Sequence, residues 1–334
     1  MRLVVFLLIT LLLFGDEYDD LDFDTSNFEK KIFEYQGYIR SDNTLIYSDT
    51  TNREIVSSKN EFNLRADLDY EWVNLHGDYS YFYNKTEGTP SQNISTLNEL
   101  YQHFGDEKNS LSVGKKVLRW GKGYAYSPLA FFERPKNPIY PELSREGYLM
   151  AHTNFTRTPS SFIDNYTLTL LAVPDTNDNR ELFEHTDSKV AAKLYMLIGE
   201  SDIDVIVANR VFGVDFSTNA TTALELHGDF GYKESQSSYL AGLRYQSKTD
   251  VTIIAEYTKT FENDTFIYLK ATQKEPFDIV YSSLYFVGIE ELDDDAYRLQ
   301  AGGTYDFKNG FTGDVTLLAT DESYGGKFIV YYYF

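Results

Sequence analysis

The sequence closes on Phe328-Ile329-Val330-Tyr331-Tyr332-Tyr333-Phe334, an alternating segment that carries Phe328, Val330 and Tyr332 on one face and finishes on an aromatic residue. The same period of two runs backwards through the chain. Phe62, Leu64, Ala66, Leu68 and Tyr70 oppose Asn63, Arg65, Asp67 and Asp69, and Leu224, Leu226, Gly228, Phe230 and Tyr232 oppose Glu225, His227, Asp229 and Gly231. Successive side chains of a strand point to opposite faces, so each segment reads as a strand with one apolar and one polar face. From residue 29 onward no window shows a convincing helical period.

Alternation alone fits a soluble sandwich as well as a membrane barrel. Three features choose the barrel. The segments run to about ten to twelve residues, the span a tilted strand needs to cross a bilayer, whereas soluble strands average about five or six. Tyrosine and phenylalanine gather at segment ends, as in Tyr79-Ser80-Tyr81-Phe82-Tyr83 and Tyr281 to Phe286, where interfacial girdles place amphipathic rings. The third feature is the closing strand itself. It resembles the last strand of Gram-negative outer-membrane β-barrels, in which a C-terminal Phe is the usual final residue and part of the assembly signal. The resemblance implies localisation in the cell outer membrane. It also implies outer-membrane lipid, lipopolysaccharide and the barrel-assembly machinery as partners, and leaves homo-oligomerisation open.

The pattern predicts an all-β fold, a transmembrane antiparallel up-and-down barrel of about 18 strands, sixteen remaining open at the tight corner Asn209–Arg210–Val211. An even count puts short turns on one side (Gly105–Asn109, Gly199–Asp202, Asn219–Thr221, Ser247–Asp250, Gln273–Pro276, Phe307–Gly310) and longer connections on the other, at 41–58, 85–95, 120–146, 175–187 and 289–295. Ahead of the barrel at 29–334, residues 1–15 read as a secretory signal peptide, with Leu3 to Phe14 too short to span a bilayer, and residues 16–28 as an acidic segment. The absence of Cys excludes a disulfide scaffold, a Cys-ligated metal site and a lipoprotein anchor. With 51 Asp+Glu against 30 Lys+Arg in 334 residues, a nucleic-acid partner is electrostatically disfavoured.

The longest connection, Trp120–Glu146, holds four of the eight prolines and a run of aromatics that would be costly on a solvated tip. It is therefore predicted to fold inward and narrow the lumen. Its W-G-K-G-Y-A…R-P-K-x-P…P-E-L-x-R-E-G block is similar to one in a family of little-characterised porin-like outer-membrane proteins. Residues placed at the constriction are Lys115, Arg119, Lys122, Arg134, Lys136, Arg145 and Glu146, with Glu99 and His103 from the facing strand. Opposed charges there would sort solutes by charge and dipole, or Arg119 and Glu99 would simply pair to pin the loop. Other polar-face positions assigned to the lumen include Arg40, His76, Asp78, His152, Lys193, Asp215, His227, Asp229, Glu256 and Gln300. Leu75-His76-Gly77-Asp78-Tyr79 and Leu226-His227-Gly228-Asp229-Phe230 form a small repeat, with too few ligands for a metal site.

No catalytic, cofactor or metal site is predicted. His152-Thr153-Asn154 is the nearest approach to a phospholipase motif, but it lacks the serine and turns Thr153 away from His152. Gly121-Lys122-Gly123 lacks the frame of a phosphate loop. The sequence thus reads as a porin-like channel for passive diffusion of small polar solutes. The alternative is a non-conducting barrel serving as a structural or export partner, or as a surface receptor or adhesin.

Overall fold

A computed structural model describes residues 32–334 except 141, 142, 144, 160, 161, 181–189, 209 and 210. The predicted signal peptide and acidic segment lie outside the described residues. Eighteen strands follow in order: β1 (Phe33–Ser48), β2 (Arg53–Tyr70), β3 (Val73–Thr86), β4 (Gln92–Gly105), β5 (Asn109–Lys116), β6 (Tyr148–Arg157), β7 (Asn165–Ala172), β8 (Val190–Ile198), β9 (Ser201–Ala208), β10 (Val211–Thr221), β11 (Leu224–Lys233), β12 (Gln236–Gln246), β13 (Val251–Lys259), β14 (Thr265–Lys274), β15 (Ser282–Glu291), β16 (Ala296–Asp306), β17 (Phe311–Thr320) and β18 (Ser323–Tyr333). Each pairs antiparallel with its sequence neighbours, and β1 also pairs with β18, so Arg40 lies opposite Glu61 on one side and Tyr331 on the other. The sheet is closed and has no free edge.

The polarity of this sheet is inside out. Asp204, Asp215, His227, Asp229 and Glu256 are buried, as are Arg40, Asp78, His152 and Gln300. Leu317 is 69% exposed and Phe230 45%, and apolar side chains wrap the outer face from strand to strand. Soluble monomers rarely expose apolar patches beyond a few hundred Å², so hydrocarbon is the medium that suits this face. No helix among the described residues is long and apolar enough to cross a membrane.

The eighteen-strand reading holds, and the corner at 209–210 separates two paired strands, with Val211 opposite Ala208. The connections differ from expectation. The predicted loop 41–58 is mostly strand: β1 and β2 stay in register out to Ser48 opposite Arg53, leaving only 49–52 as the turn. Likewise 85–95 shrinks to 87–91, and 289–295 to 292–295. Beyond the lipid the outward face of a hairpin meets water, so Ser41 and Asn43 can be polar there while Asp42 and Thr44 stay buried on the inner side, and the apolar half of the alternation lapses while backbone pairing continues. That is why Ser41-Asp42-Asn43-Thr44 read as loop. Conversely, the short turn expected at Gln273–Pro276 runs on, and the next strand starts only at Ser282. Pro276 lacks an N–H for the ladder, and Glu275, Phe277, Asp278 and Tyr281 all take positive φ in the turn before it. Long connections remain only at 117–147 and 173–189, the latter partly outside the described residues.

Candidate functional site: the segment inside the barrel

Both ends of the segment between β5 and β6 are tied to adjacent residues of β4. Glu99 Oε1 accepts the Val117 N–H at 2.8 Å, and the Gly147 N–H donates to the Asn98 carbonyl at 2.8 Å. Between these ties the chain runs against the inner wall.

The Trp120-Gly121-Lys122-Gly123-Tyr124-Ala125 turn plugs its backbone into wall carboxylates. The Lys122 N–H donates to Asp229 Oδ1 (2.9 Å), while the Tyr124 and Ala125 N–H groups donate to the two oxygens of Glu256 (2.5 and 2.9 Å). Hydrogen bonds to ionised acceptors are about twice as strong as neutral ones, and they satisfy backbone groups that would otherwise be buried without partners. Both glycines are required. Gly121 has φ +84°, and a Cβ there would lie 2.7 Å from Asp229 Oδ2; at Gly123 a Cβ would lie 1.7 Å from the Tyr126 carbonyl oxygen. The Lys122 ammonium lies 3.3 Å from Asp204 and 3.7 Å from Asp215. Burial alone would lower its pKa, but those carboxylates outweigh the burial and leave it raised. Asp204, Asp215 and Asp229 stand side by side on β9, β10 and β11, directly opposite one another in register.

Apolar contacts complete the seat. Trp120, Leu129 and Phe132 pack on Met150, Leu171, Ile206 and Val211 of the inner wall, while Ala125 and Ile139 pack on Ile254, Tyr268 and Val287. Further along, Arg145 pairs with Glu133 at 2.7 Å, and Lys136 donates to the Gly123 carbonyl at 2.6 Å. Burial raises the Glu133 pKa and lowers that of Lys136. Arg134 and Lys115 both pair with Glu146, the former at 3.2 Å.

Four expected constriction residues, Arg119, Lys122, Lys136 and Arg145, line one cavity of about 460 Å³, together with Asp202 and Glu225 from the wall. Tyr124 spans this space, its hydroxyl donating to Glu225, and its pKa is pushed up to about 12 by burial and by that carboxylate. The expected Arg119–Glu99 pin does not form. Glu99 is engaged by the Val117 N–H and lies 3.7 Å from His76, while Arg119 is exposed to the cavity. His103 contacts Ser112 on β5 at 3.0 Å rather than the segment. The two His/Asp repeats do not converge. Asp78 holds Arg65 and Asn98, whereas His227 lies against Glu256 at 3.0 Å. Thr153 donates its hydroxyl to the Ser110 carbonyl, away from any base.

No protein-family model matches the chain, and no curated protein matches it. Solved structures do. It superposes on Pseudomonas aeruginosa OccK7 (OpdD) with a TM-score of 0.54 at 8% identity, covering 90% of this chain and 98% of that one. Pseudomonas aeruginosa OccK5 (OpdH) gives 0.53 at 12% identity, covering 90% and 98%. A mutant of the Rh. blastica porin gives 0.50 at 11%, covering 90% and 100%. The fold is that of the outer-membrane porins. Within this porin fold the inward segment follows the fifth strand and makes its firmest polar ties to β9–β13.

Sequence reading missed two parts of the site. Asp202 and Asp204 were not singled out, although the alternation of β9 places them on the polar face with Asp215 and Asp229 of the strands beside it. The apolar inner wall was also unforeseen. Its trace is the continuous run Val205-Ile206-Val207-Ala208, where alternation stops because both faces are covered, one by lipid and one by the segment.

Proposed function

We propose that the chain forms an outer-membrane channel through which small polar solutes diffuse passively, with segment 120–146 setting its narrowest cross-section. In this reading residues 1–15 are the export leader and 16–28 an acidic lead-in. Lipid and lipopolysaccharide contact the apolar band, and the assembly machinery receives the C-terminal strand. No catalysis is part of it.

The observation that carries the reading is a polar lumen that the segment fills incompletely. Besides the cavity at Arg119, spaces of about 290 and 300 Å³ lie beside the segment's tip, Ile139–Tyr140. Cations of the segment face wall carboxylates across the first cavity, and such opposed charges make a transverse field that orders permeating dipoles. Planar-bilayer recording tests the proposal. Steady single-channel steps that enlarge on deletion of 123–145 support it, and a silent wild-type barrel rejects it. An unchanged conductance on deletion rejects the constriction role. One observation favours a non-conducting barrel as second reading: the segment buries Trp120, Leu129 and Phe132 almost completely, as a fixed plug would.

A further inference from the structure

The cavity of about 300 Å³ at the segment's tip differs in chemistry from the one at Arg119. Its wall comes from β14–β18, on the half of the barrel nearer the end where β1 begins and β18 finishes. Four tyrosines line it: Tyr140 from the segment, Tyr285 from β15, and Tyr331 and Tyr333 from β18. Other wall aromatics that turn inward, such as Tyr268 and Phe266, are covered by the segment's own side chains, whereas these four border open space. The rings of Tyr331 and Tyr333 are nearly parallel, 5° apart in plane with centroids 5.7 Å apart, and Tyr38 meets both edge-on or tilted at 6.1 Å. Tyr140 is held at the upper side by two cations, Arg40 at 5.5 Å and Lys327 at 5.1 Å from its ring, and its hydroxyl has no hydrogen-bond partner among the described residues.

The lining also carries Thr272, Thr312 and a hydrogen-bonded Ser283–Thr304 pair, with a single ammonium (Lys270) and a single carboxylate (Asp314) that accepts from Tyr285 and Thr316. These two charges balance, and the cations at Tyr140 are paired with Asp42 and Glu61, so the space favours neither anions nor cations. Flat apolar ring faces alternating with neutral donors and acceptors complement a solute that has apolar C–H faces and a rim of hydroxyl groups. The volume lies at the lower end of small-ligand cavities, room for about one sugar ring.

We propose that this tyrosine-lined vestibule is a binding site for a neutral sugar, one pyranose ring stacking on the Tyr331–Tyr333 platform while its hydroxyls reach the threonine and Asp314 rim. The site deepens the channel reading by naming a solute class, yet occupancy does not require conduction, so the two can fail separately.

The test is calorimetric titration of the folded barrel in detergent with glucose, maltose, sorbitol and gluconate as probes. Saturable binding of glucose or maltose in the millimolar range is expected, with open-chain sorbitol and anionic gluconate at least tenfold weaker. Tyr331→Ala should weaken sugar binding tenfold or more. Thr312→Val, which keeps the side-chain volume, should weaken it several-fold in a barrel whose folding is checked by heat-modifiable electrophoretic mobility. Absence of saturable binding by either sugar up to tens of millimolar overturns the proposal and leaves the channel reading standing if current steps persist. Equal affinity for sorbitol and glucose, or a folded Thr312→Val and Tyr331→Ala with wild-type affinity, overturns it too. Sugar binding in a silent barrel upholds the site and rejects the channel.

Discussion

Replacing Glu256 by alanine should unseat the Trp120–Ala125 turn without unfolding the barrel. The carboxylate accepts the backbone N–H groups of Tyr124 and Ala125 at 2.5 and 2.9 Å, and Ala125 is fully buried, so water cannot substitute while the turn stays seated. Hydrogen bonds to a charged partner contribute about 1.5–3 kcal/mol each, which puts the loss at roughly 3–6 kcal/mol for the pair. The apolar contacts of Trp120, Leu129 and Phe132 and the Lys122 ion pairs remain, so the seated form persists but opens more often. At the lower figure the open fraction rises roughly a hundredfold, since each ~1.4 kcal/mol is a factor of ten. Limited trypsin digestion of the folded barrel reads this directly, because Lys122 becomes cleavable only when its ammonium leaves Asp204 and Asp215. Glu256→Gln, which keeps one acceptor, should fall between the two. A folded Glu256→Ala barrel that resists trypsin at Lys122 as long as the parent would refute the claim that these hydrogen bonds hold the segment.

Gly123→Ala should have a similar effect by another route, because its Cβ would overlap the Tyr126 carbonyl oxygen; trypsin sensitivity without loss of the heat-modifiable barrel band is the expected result. Arg119→Glu should leave thermal stability nearly unchanged, since the side chain is exposed and Glu99 is occupied elsewhere. It should shift the reversal potential in a salt gradient toward cation preference, and an unmoved potential places the conducting path away from Arg119. Removing Phe334 should slow folding into detergent or lipid. Its backbone exchanges two hydrogen bonds with Gly37 (2.9 and 3.1 Å) and its ring stacks on Phe62, so it clamps the first strand to the last; folding at the parental rate would count against that role.

The architecture was legible because lipid imposes a rule on every strand it touches. Phe62 to Tyr70 and Leu224 to Tyr232 could keep their alternation only with hydrocarbon on one side and polar contacts on the other. The hairpin ends at 41–58 escaped because that rule stops at the membrane boundary. Within the site, the inward course of Trp120–Glu146 followed from its aromatics and prolines, but its partners did not. Glu256 lies more than a hundred residues from Ala125, and no local pattern announces that Gly-Lys-Gly donates backbone N–H groups to it. The Arg119–Glu99 pin failed for a related reason: complementary charge predicts an attraction, while an unpaired backbone N–H at Val117 had the stronger demand on that carboxylate.

The ring of Tyr140 rests between a guanidinium on the first strand and an ammonium on the last. That cradle comes into being only when the two ends of the sheet meet. During biogenesis, then, the body of the segment can already rest on β9–β15, while the grip on its tip waits for the first and last strands to join. A barrel in which both cations grip that ring has, by that fact, already shut its seam.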